Sequence, residues 1–170
     1  DDPSTYHFFF ADAEGTPGTS MTFFPWENMR RGQVGTGQVS RTAFRVPEGS
    51  LAYWEDRFEE YGVDYQDRVD RFGETVLPFR DPDGLPVELV AVDIPEDDPT
   101  VPWTEFVPEA YAIRGFHSVT LWLGDPFQTE ELLRTMGFQE VGTEEAPGDT
   151  PGDERTRFAA SGPVGTYVDV

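Results

Sequence analysis

Apolar positions along the chain recur with helical and strand periods, and three stretches repeat one order of predicted elements. The most complete stretch predicts a strand over residues 38–46, rich in β-branched and aromatic residues, and then a helix over Leu51–Tyr61. Apolar residues at three- and four-residue steps give that helix one apolar stripe, with Ser50 as the predicted cap and Gly62 as the end. Three strands are predicted to follow, over residues 63–65, 75–80 and 87–92.

The other two stretches contain parts of the same order. The third predicts a strand over residues 115–123 and a helix that starts after Asp125-Pro126, followed by strands near 138–141, 157–160 and 167–170. The first predicts only two strands, over residues 6–11 and 21–26, joined by a turn. The residues predicted to form the buried side of the second helix are Phe127, Leu132, Leu133 and Met136.

This order predicts an α+β protein in which βαβββ units form curved, mostly antiparallel sheets. Residues 1–34 are expected to be the C-terminal part of a first unit and residues 35–95 a complete second unit. Residues 96–111, acidic and rich in proline, are expected to be a linker, and residues 112–170 the N-terminal part of a third unit. A chain with these incomplete ends is expected to be part of a longer protein.

The net charge of the chain limits the kinds of molecule that it is expected to bind. Asp and Glu total 33 against 12 basic residues, all of them arginine, so the net charge is −21. A nucleic-acid partner is not expected, because phosphate binding requires clustered positive charge. A membrane span is not expected either, because no apolar run approaches 18 residues. Acidity without lysine favours a cytoplasmic protein of a halophile, where molar salt screens the self-repulsion. The formation of a homo-oligomer is compatible with the sequence and is left open.

The residues available for chemistry are few. The chain has no cysteine, which excludes disulfides and thiolate metal sites, and its only histidines are His7 and His117. Four stretches together resemble one protein family: DDPSTYHFFFADAEGTPGTSMTFFPW, GTGQVSRTAFRVPEGSLAYW, RFGETVLPFRDPDGLPVELVA and AIRGFHSVTLWLGDP. They are similar to hydroquinone-type ring-cleaving dioxygenases of the vicinal oxygen chelate superfamily, which includes glyoxalases and bleomycin-resistance proteins.

The resemblance implies a metal held in a cup by two histidines and a carboxylate, which suits Fe(II) or Mn(II). It places a histidine ligand on the first strand of a unit and an acidic ligand on the last strand. In this chain, the histidine positions of the second and third units hold Arg41 and Ser118, and the acidic positions hold Glu88 and Asp169. The resemblance therefore implies that the metal ligands lie outside this chain, which alone is expected to bind no metal and to be inactive.

Several residues have two interpretations. His117, next to the Ser118 position, would either bind metal with Glu88 and Asp169 or be a hydrogen-bonded histidine inside a barrel. Arg41 is predicted to pair with Glu88 in place of a metal bridge. In the first unit, His7 is a candidate catalytic residue, either orienting substrate or moving a proton, or else an ordinary strand histidine. The candidate substrate-binding residues are Thr22, Phe9 and Phe24.

The function implied is cleavage of a hydroquinone- or catechol-like ring with O₂ by an intact protein that uses Fe(II) or Mn(II). Two alternatives stay open. One is a metal-free module that binds aromatic ligands, as bleomycin-resistance proteins do, and the other is a glyoxalase-type isomerase. Arg41 and Ser118 argue against the isomerase, because that reaction requires metal ligands in paired units.

Overall fold

The computed structural model describes residues 4–26, 29–30, 32–146 and 154–170. Two helices and ten strands are formed by these residues. The helices are α1 (Leu51–Tyr61) and α2 (Phe127–Thr135), and a short 3₁₀ turn spans Glu109–Tyr111. The strands are β1 (Phe8–Phe10), β2 (Met21–Phe23), β3 (Gln38–Pro47), β4 (Val69–Arg71), β5 (Glu74–Arg80), β6 (Pro86–Val92), β7 (Phe116–Trp122), β8 (Gln139–Glu145), β9 (Glu154–Ala159) and β10 (Tyr167–Asp169).

Eight strands form one curved sheet in the order β4-β5-β6-β3-β7-β10-β9-β8, which confirms the predicted α+β class. Its centre is the antiparallel pair β3 and β7. On one side β6 runs parallel to β3, and on the other β10 runs parallel to β7. The two βαβββ segments therefore meet at their first strands, and each half of the sheet repeats the strand order of the other. β1 and β2 form a separate antiparallel hairpin.

Helix α1 supplies most of the apolar core. Leu51, Trp54 and Phe58 lie on one side of the helix and pack on Val46 and on two strand leucines, Leu77 and Leu89. The helix ends at Gly62, whose backbone is left-handed at φ 66°, as predicted. Ser50 is the N-cap residue, as predicted, but its side chain makes no capping hydrogen bond, and its hydroxyl donates to the carbonyl of Pro47.

Helix α2 has less contact with the sheet than predicted. Only Leu133 is buried, whereas Phe127, Leu132 and Met136 are exposed, so the predicted buried side is wrong. At about 100° per residue, Phe127 and Met136 lie on opposite sides of the helix and cannot share one apolar face. Among the described residues, no helix combines the length and the apolar character needed to cross a bilayer.

The hairpin of β4 and β5 differs from the prediction. Residues 63–65 form only an isolated bridge between Tyr65 and Phe79, and the strand lies further on, at β4. Phe72 and Gly73 make a two-residue turn with φ values of 49° and 78°. Turns with two positive φ values are usually Asn-Gly or Asp-Gly. Because phenylalanine stands at the first position here, the sequence does not predict this turn. It also places the Phe72 ring over the concave face of the sheet, where Arg157 lies 4.2 Å from its centroid.

The segment before β7 is fixed to the sheet and to the first hairpin. The carboxylate of Asp98 lies 2.9 Å from Nη2 of Arg45, so this residue of the predicted linker is an internal ion-pair partner. The backbone N–H of Val101 donates to Asp12, and its carbonyl accepts from Ala13. These contacts hold the loop that follows β1 against the segment between the two halves of the sheet.

Candidate functional site

The four positions that the resemblance assigns to metal ligands lie together at the centre of the eight-stranded sheet. Across β3 and β7, Arg41 is opposite Thr120 and Ser118 is opposite Ala43. The acidic positions lie on the adjacent strands, with Glu88 beside Ala43 and Asp169 beside Thr120. We call the concave face around Arg41, Arg71, Glu88, Arg157 and Asp169 the arginine cup.

Glu88 is bound by two arginines. Its side chain is only 1% exposed, and Arg71 donates to both carboxylate oxygens, at 2.6 and 3.0 Å. Nε of Arg41 lies 3.4 Å from the same carboxylate, which confirms the predicted pairing of Arg41 with Glu88. Arg71 is the closer partner, and sequence reasoning missed it. It lies in the segment whose Phe-Gly turn was not recognised.

Asp169 has an equivalent partner in the other half of the sheet. Its side chain is fully buried and accepts hydrogen bonds from Nε and Nη2 of Arg157, at 2.7 and 2.9 Å. The Nη1 atom of Arg157 donates to Glu74 at 2.6 Å. The guanidinium also lies against the rings of Phe72 and Tyr167, at 4.2 and 5.0 Å from their centroids. Two-point arginine–carboxylate contact is among the strongest arrangements of this pair.

His117 and Ser118 extend this network. Nδ1 of His117 lies 3.0 Å from Oγ of Ser118, and Nε2 lies 3.1 Å from Oε1 of Glu74. Adjacent strand residues normally point to opposite faces, but the pairing shifts register between Ala43 and Phe44, which leaves His117 as an extra residue in β7. Both ring nitrogens are engaged with protein oxygens, as in the hydrogen-bonded interpretation of this histidine.

The network sets the ionisation of its members. Burial raises the pKa of Glu74, but hydrogen bonds and positive charge from His117 and Arg157 outweigh it, so the pKa lies below its usual value. Burial lowers the pKa of Arg157, whereas Asp169 and Glu74 raise it further, so the guanidinium stays charged. Glu74 and Arg157 therefore favour each other's charged form at the edge of the cup.

These residues do not fit the metal that the resemblance implies. A non-haem metal site needs carboxylate and imidazole atoms directed at one point. Here Glu88 and Asp169 each accept two hydrogen bonds from an arginine, and Arg41 places a permanent positive charge where a ligand would be required. Over residues 4–26, 29–30, 32–146 and 154–170, no group of three or more acidic or histidine side chains is placed to hold an ion.

The remaining candidates lie together on the first hairpin. The His7 ring centroid is 4.0 Å from that of Phe9 and 4.0 Å from that of Phe24, and Phe9 is paired with Thr22 across the strands. All four therefore share one face of the hairpin, which is partly open to solvent. The Nε2 atom of His7 is buried and makes no hydrogen bond within the described part of the chain. The ring is thus held on its faces while one nitrogen keeps its hydrogen-bonding capacity.

Two of the cavities formed by the described residues border these candidate residues. One, of about 570 Å³, opens at the mouth of the arginine cup and is lined by Arg41, Arg80, Thr120 and Arg155 together with apolar residues of β7 and its following loop. The other, of about 350 Å³, lies between the first hairpin and helix α1. It is lined mainly by apolar and aromatic side chains, among them Phe10, Phe23, Phe44, Trp54 and Trp103.

The chain matches proteins named as ring-cleaving dioxygenases. It is 40% identical over 173 residues to one from Bacillus subtilis, MhqO, covering all of this chain and 51% of that protein. It is 33% identical over 132 residues to a chlorohydroquinone/hydroquinone 1,2-dioxygenase of Sphingobium indicum, covering 76% of this chain and 40% of that protein. The crystal structure of a Bacillus subtilis protein described as a dioxygenase superposes on 99% of this chain and 51% of its own, with a TM-score of 0.83 and 38% identity.

The chain is a homologue of hydroquinone-type ring-cleaving dioxygenases with the vicinal oxygen chelate fold. It spans about half the length of the curated relatives it matches. Glyoxalase I from Zea mays has the same fold, with a TM-score of 0.65 over 99% of this chain and 55% of that one, but at 14% identity. No protein-family model matches the chain.

Proposed function

We propose that the intact protein is a ring-cleaving dioxygenase that uses O₂ and Fe(II) or Mn(II) to open a hydroquinone- or catechol-like ring. We propose further that its metal ligands lie outside this chain and that the arginine cup is the half without a metal. The observation that supports this assignment is the arginine cup itself, in which Arg71 and Arg157 bind the two carboxylates that would otherwise be ligands. The relatives named as dioxygenases support the reaction class.

In this proposal the chain contributes to substrate binding through its first hairpin. The shared face of His7, Phe9, Thr22 and Phe24 offers aromatic surface for a phenolic ring and one hydroxyl. Nε2 of His7, which makes no hydrogen bond within the described residues, would hydrogen-bond a substrate hydroxyl or take its proton. His117 would have no such part, since its nitrogens are engaged by Ser118 and Glu74.

The test compares variants in the full-length enzyme. His7→Gln is expected to lower O₂ consumption with hydroquinone by roughly a hundredfold or more, the lower end of general acid–base effects, while bound metal is unchanged. Two matched variants, His117→Gln and Glu88→Gln, are tested separately. Each is expected to keep the metal content of the full-length protein. Metal loss in Glu88→Gln, or stoichiometric iron uptake and O₂ consumption by this chain alone, would refute the assignment.

A second candidate, a metal-free module that binds aromatic ligands, is favoured by the cavity of about 350 Å³ between the hairpin and α1. This volume suits one or two aromatic rings. Trp54 and Trp103 line it, so a planar aromatic compound would quench or shift their fluorescence saturably. The isomerase alternative has no comparable support, because Glyoxalase I shares the fold alone.

We also propose a salt-rich cytoplasm as the place of action and leave self-association to experiment. The support is the net charge of −21 and the absence of lysine. Sedimentation of the full-length protein at low and molar salt would show whether it forms a homo-oligomer, since screening removes the repulsion between highly charged copies.

A further inference from the structure

The two faces of the first hairpin have different surroundings. Phe10, Met21 and Phe23 share one face, because side chains alternate along β1 and β2 and Phe10 is paired with Met21. The opposite face carries His7 and Phe9. The first three side chains line the cavity of about 350 Å³ between the hairpin and α1, which we call the hairpin cavity. The hairpin cavity is therefore separate from the face that is proposed to bind substrate.

The wall of the hairpin cavity is mainly apolar. Besides the hairpin, it is formed by β3, α1 and the segment before β7, among them Phe44, Trp54, Trp103, Val107 and Ile113. Among the described lining residues, only Asp12 and Thr19 belong to the polar or charged types. Trp103 is 53% exposed, so the cavity borders solvent on that side. Apolar cavities of about 150 Å³ bind benzene, so this larger one accommodates a substituted ring.

Three side chains of the wall have polar atoms that are already bonded within the protein. The hydroxyl of Thr19 donates to the carbonyl of Thr16 and accepts from the N–H of Asp12. The carboxylate of Asp12 accepts from three backbone N–H groups. The indole N–H of Trp54 donates to the carbonyl of Tyr111. A polar ligand would therefore find no free donor on these three side chains.

We propose that the hairpin cavity binds an uncharged aromatic ring that has no hydrogen-bonding groups. Burial against the apolar wall stabilises such a ring, whereas a hydroxyl would lose hydrogen bonds to water that the wall replaces only in part. A carboxylic acid is disfavoured by the charge of Asp12 and by the net charge of −21. The inference rests on the second candidate function, for which it names the ligand class, and it is independent of ring cleavage.

The test is titration calorimetry of the full-length protein, without O₂, with p-xylene and hydroquinone. The two compounds have the same shape, and hydroquinone takes a hydroxyl into the cavity whichever end enters first. p-Xylene is expected to bind saturably at one site. Hydroquinone is expected to bind there at least roughly tenfold more weakly, because leaving a hydroxyl without a partner is unfavourable. Binding in the hairpin cavity is identified as the part that Val107→Trp removes, since the larger side chain fills this space.

The matched control is Val101→Trp, which makes the same change in the same segment at an exposed residue outside the lining. Val107→Trp is expected to weaken p-xylene binding at least roughly tenfold, and Val101→Trp is expected to leave it unchanged. A variant that enlarges the cavity, Met21→Ala, should raise the affinity for naphthalene relative to p-xylene about fourfold, the effect of burying one more CH₂ group.

The outcomes separate this inference from the candidate function on which it rests. If hydroquinone binds in the hairpin cavity as tightly as p-xylene, the ligand class is wrong, although the cavity still binds aromatic compounds. Absence of saturable binding of either compound would overturn both. Equal weakening of p-xylene binding by Val107→Trp and Val101→Trp, or an unchanged preference in Met21→Ala, would overturn the assignment to the hairpin cavity.

Discussion

Removing Arg157 should destabilise the protein far more than removing a surface arginine. Its side chain is 4% exposed, and it binds Asp169 at two points and Glu74 at one. In Arg157→Met the apolar stem is kept, but Asp169 becomes a fully buried carboxylate without its partner. Breaking a buried pair from one side costs about 3–5 kcal/mol, because the remaining charge stays desolvated.

The comparison is Arg134→Met. Arg134 makes ion pairs with Glu130, Glu131 and Glu140, but it is 39% exposed, and solvent-exposed pairs contribute at most about 1 kcal/mol. Counting contacts alone would rank the two variants together, whereas burial separates them. For a chain of this size the expected difference corresponds to roughly 10 °C in Tm.

Urea unfolding followed by circular dichroism at pH 7 measures both variants. The double variant Arg157→Met with Asp169→Asn tests the cause, because it removes the stranded charge and should recover part of the lost stability. Equal costs for Arg157→Met and Arg134→Met would refute the argument from burial. The argument would also be refuted if the double variant lost more unfolding free energy than the two single variants lose together.

Three further predictions use other features of the fold. The free energy of unfolding should fall as the pH drops below about 4.5, the ordinary pKa of glutamate, because the pKa of Glu74 is lower in the folded state. Glu74→Gln should therefore reduce the fall of Tm at acid pH. An unchanged curve of Tm against pH would contradict this prediction. Gly115→Ala should cost more than about 1 kcal/mol, because φ is +79° and a Cβ would lie 2.7 Å from Val164, whereas Gly124→Ala, which meets no neighbour, should be nearly neutral in the same urea assay. Molar NaCl should raise Tm by screening the net charge of −21, and equal Tm at 0.1 and 2 M would remove the support for a halophilic origin.

The repeated order of elements was predictable because its signals are local. Helix α1 begins and ends at the predicted residues, since an apolar stripe at helical spacing and the glycine that ends it both lie within the twelve residues from Leu51 to Gly62. The long strands β3, β6 and β7 were found within a residue or two for the same reason. The predicted buried side of α2 was wrong partly because Phe127 and Met136 lie on opposite sides of a helix, which the spacing already shows. Which of the apolar residues is buried depends on what the sheet places beneath the helix.

The least predictable features are contacts between distant strands. Arg71 is 17 residues from Glu88 and Arg157 is 12 from Asp169, and no spacing rule connects them. The turn that positions Arg71 uses Phe-Gly in place of Asn-Gly, so the strand that carries this arginine was placed too early. The bulge that turns His117 towards Glu74 depends on the pairing of β3 with β7 and has no local signal.

The resemblance identifies four positions as metal-ligand positions, and the burial of their carboxylates explains why two of them are paired with arginines. The resemblance implies histidine ligands at the positions of Arg41 and Ser118, and without them Glu88 and Asp169, which are buried in the sheet, need another counter-ion. A buried carboxylate must then gain another cation or become neutral, because desolvation of an unpaired charge is too costly. Arginine meets this demand better than lysine, since its planar group satisfies both oxygens at once. An arginine for each buried carboxylate was therefore a requirement that the sequence implied, even though the identity of the two arginines needed the fold.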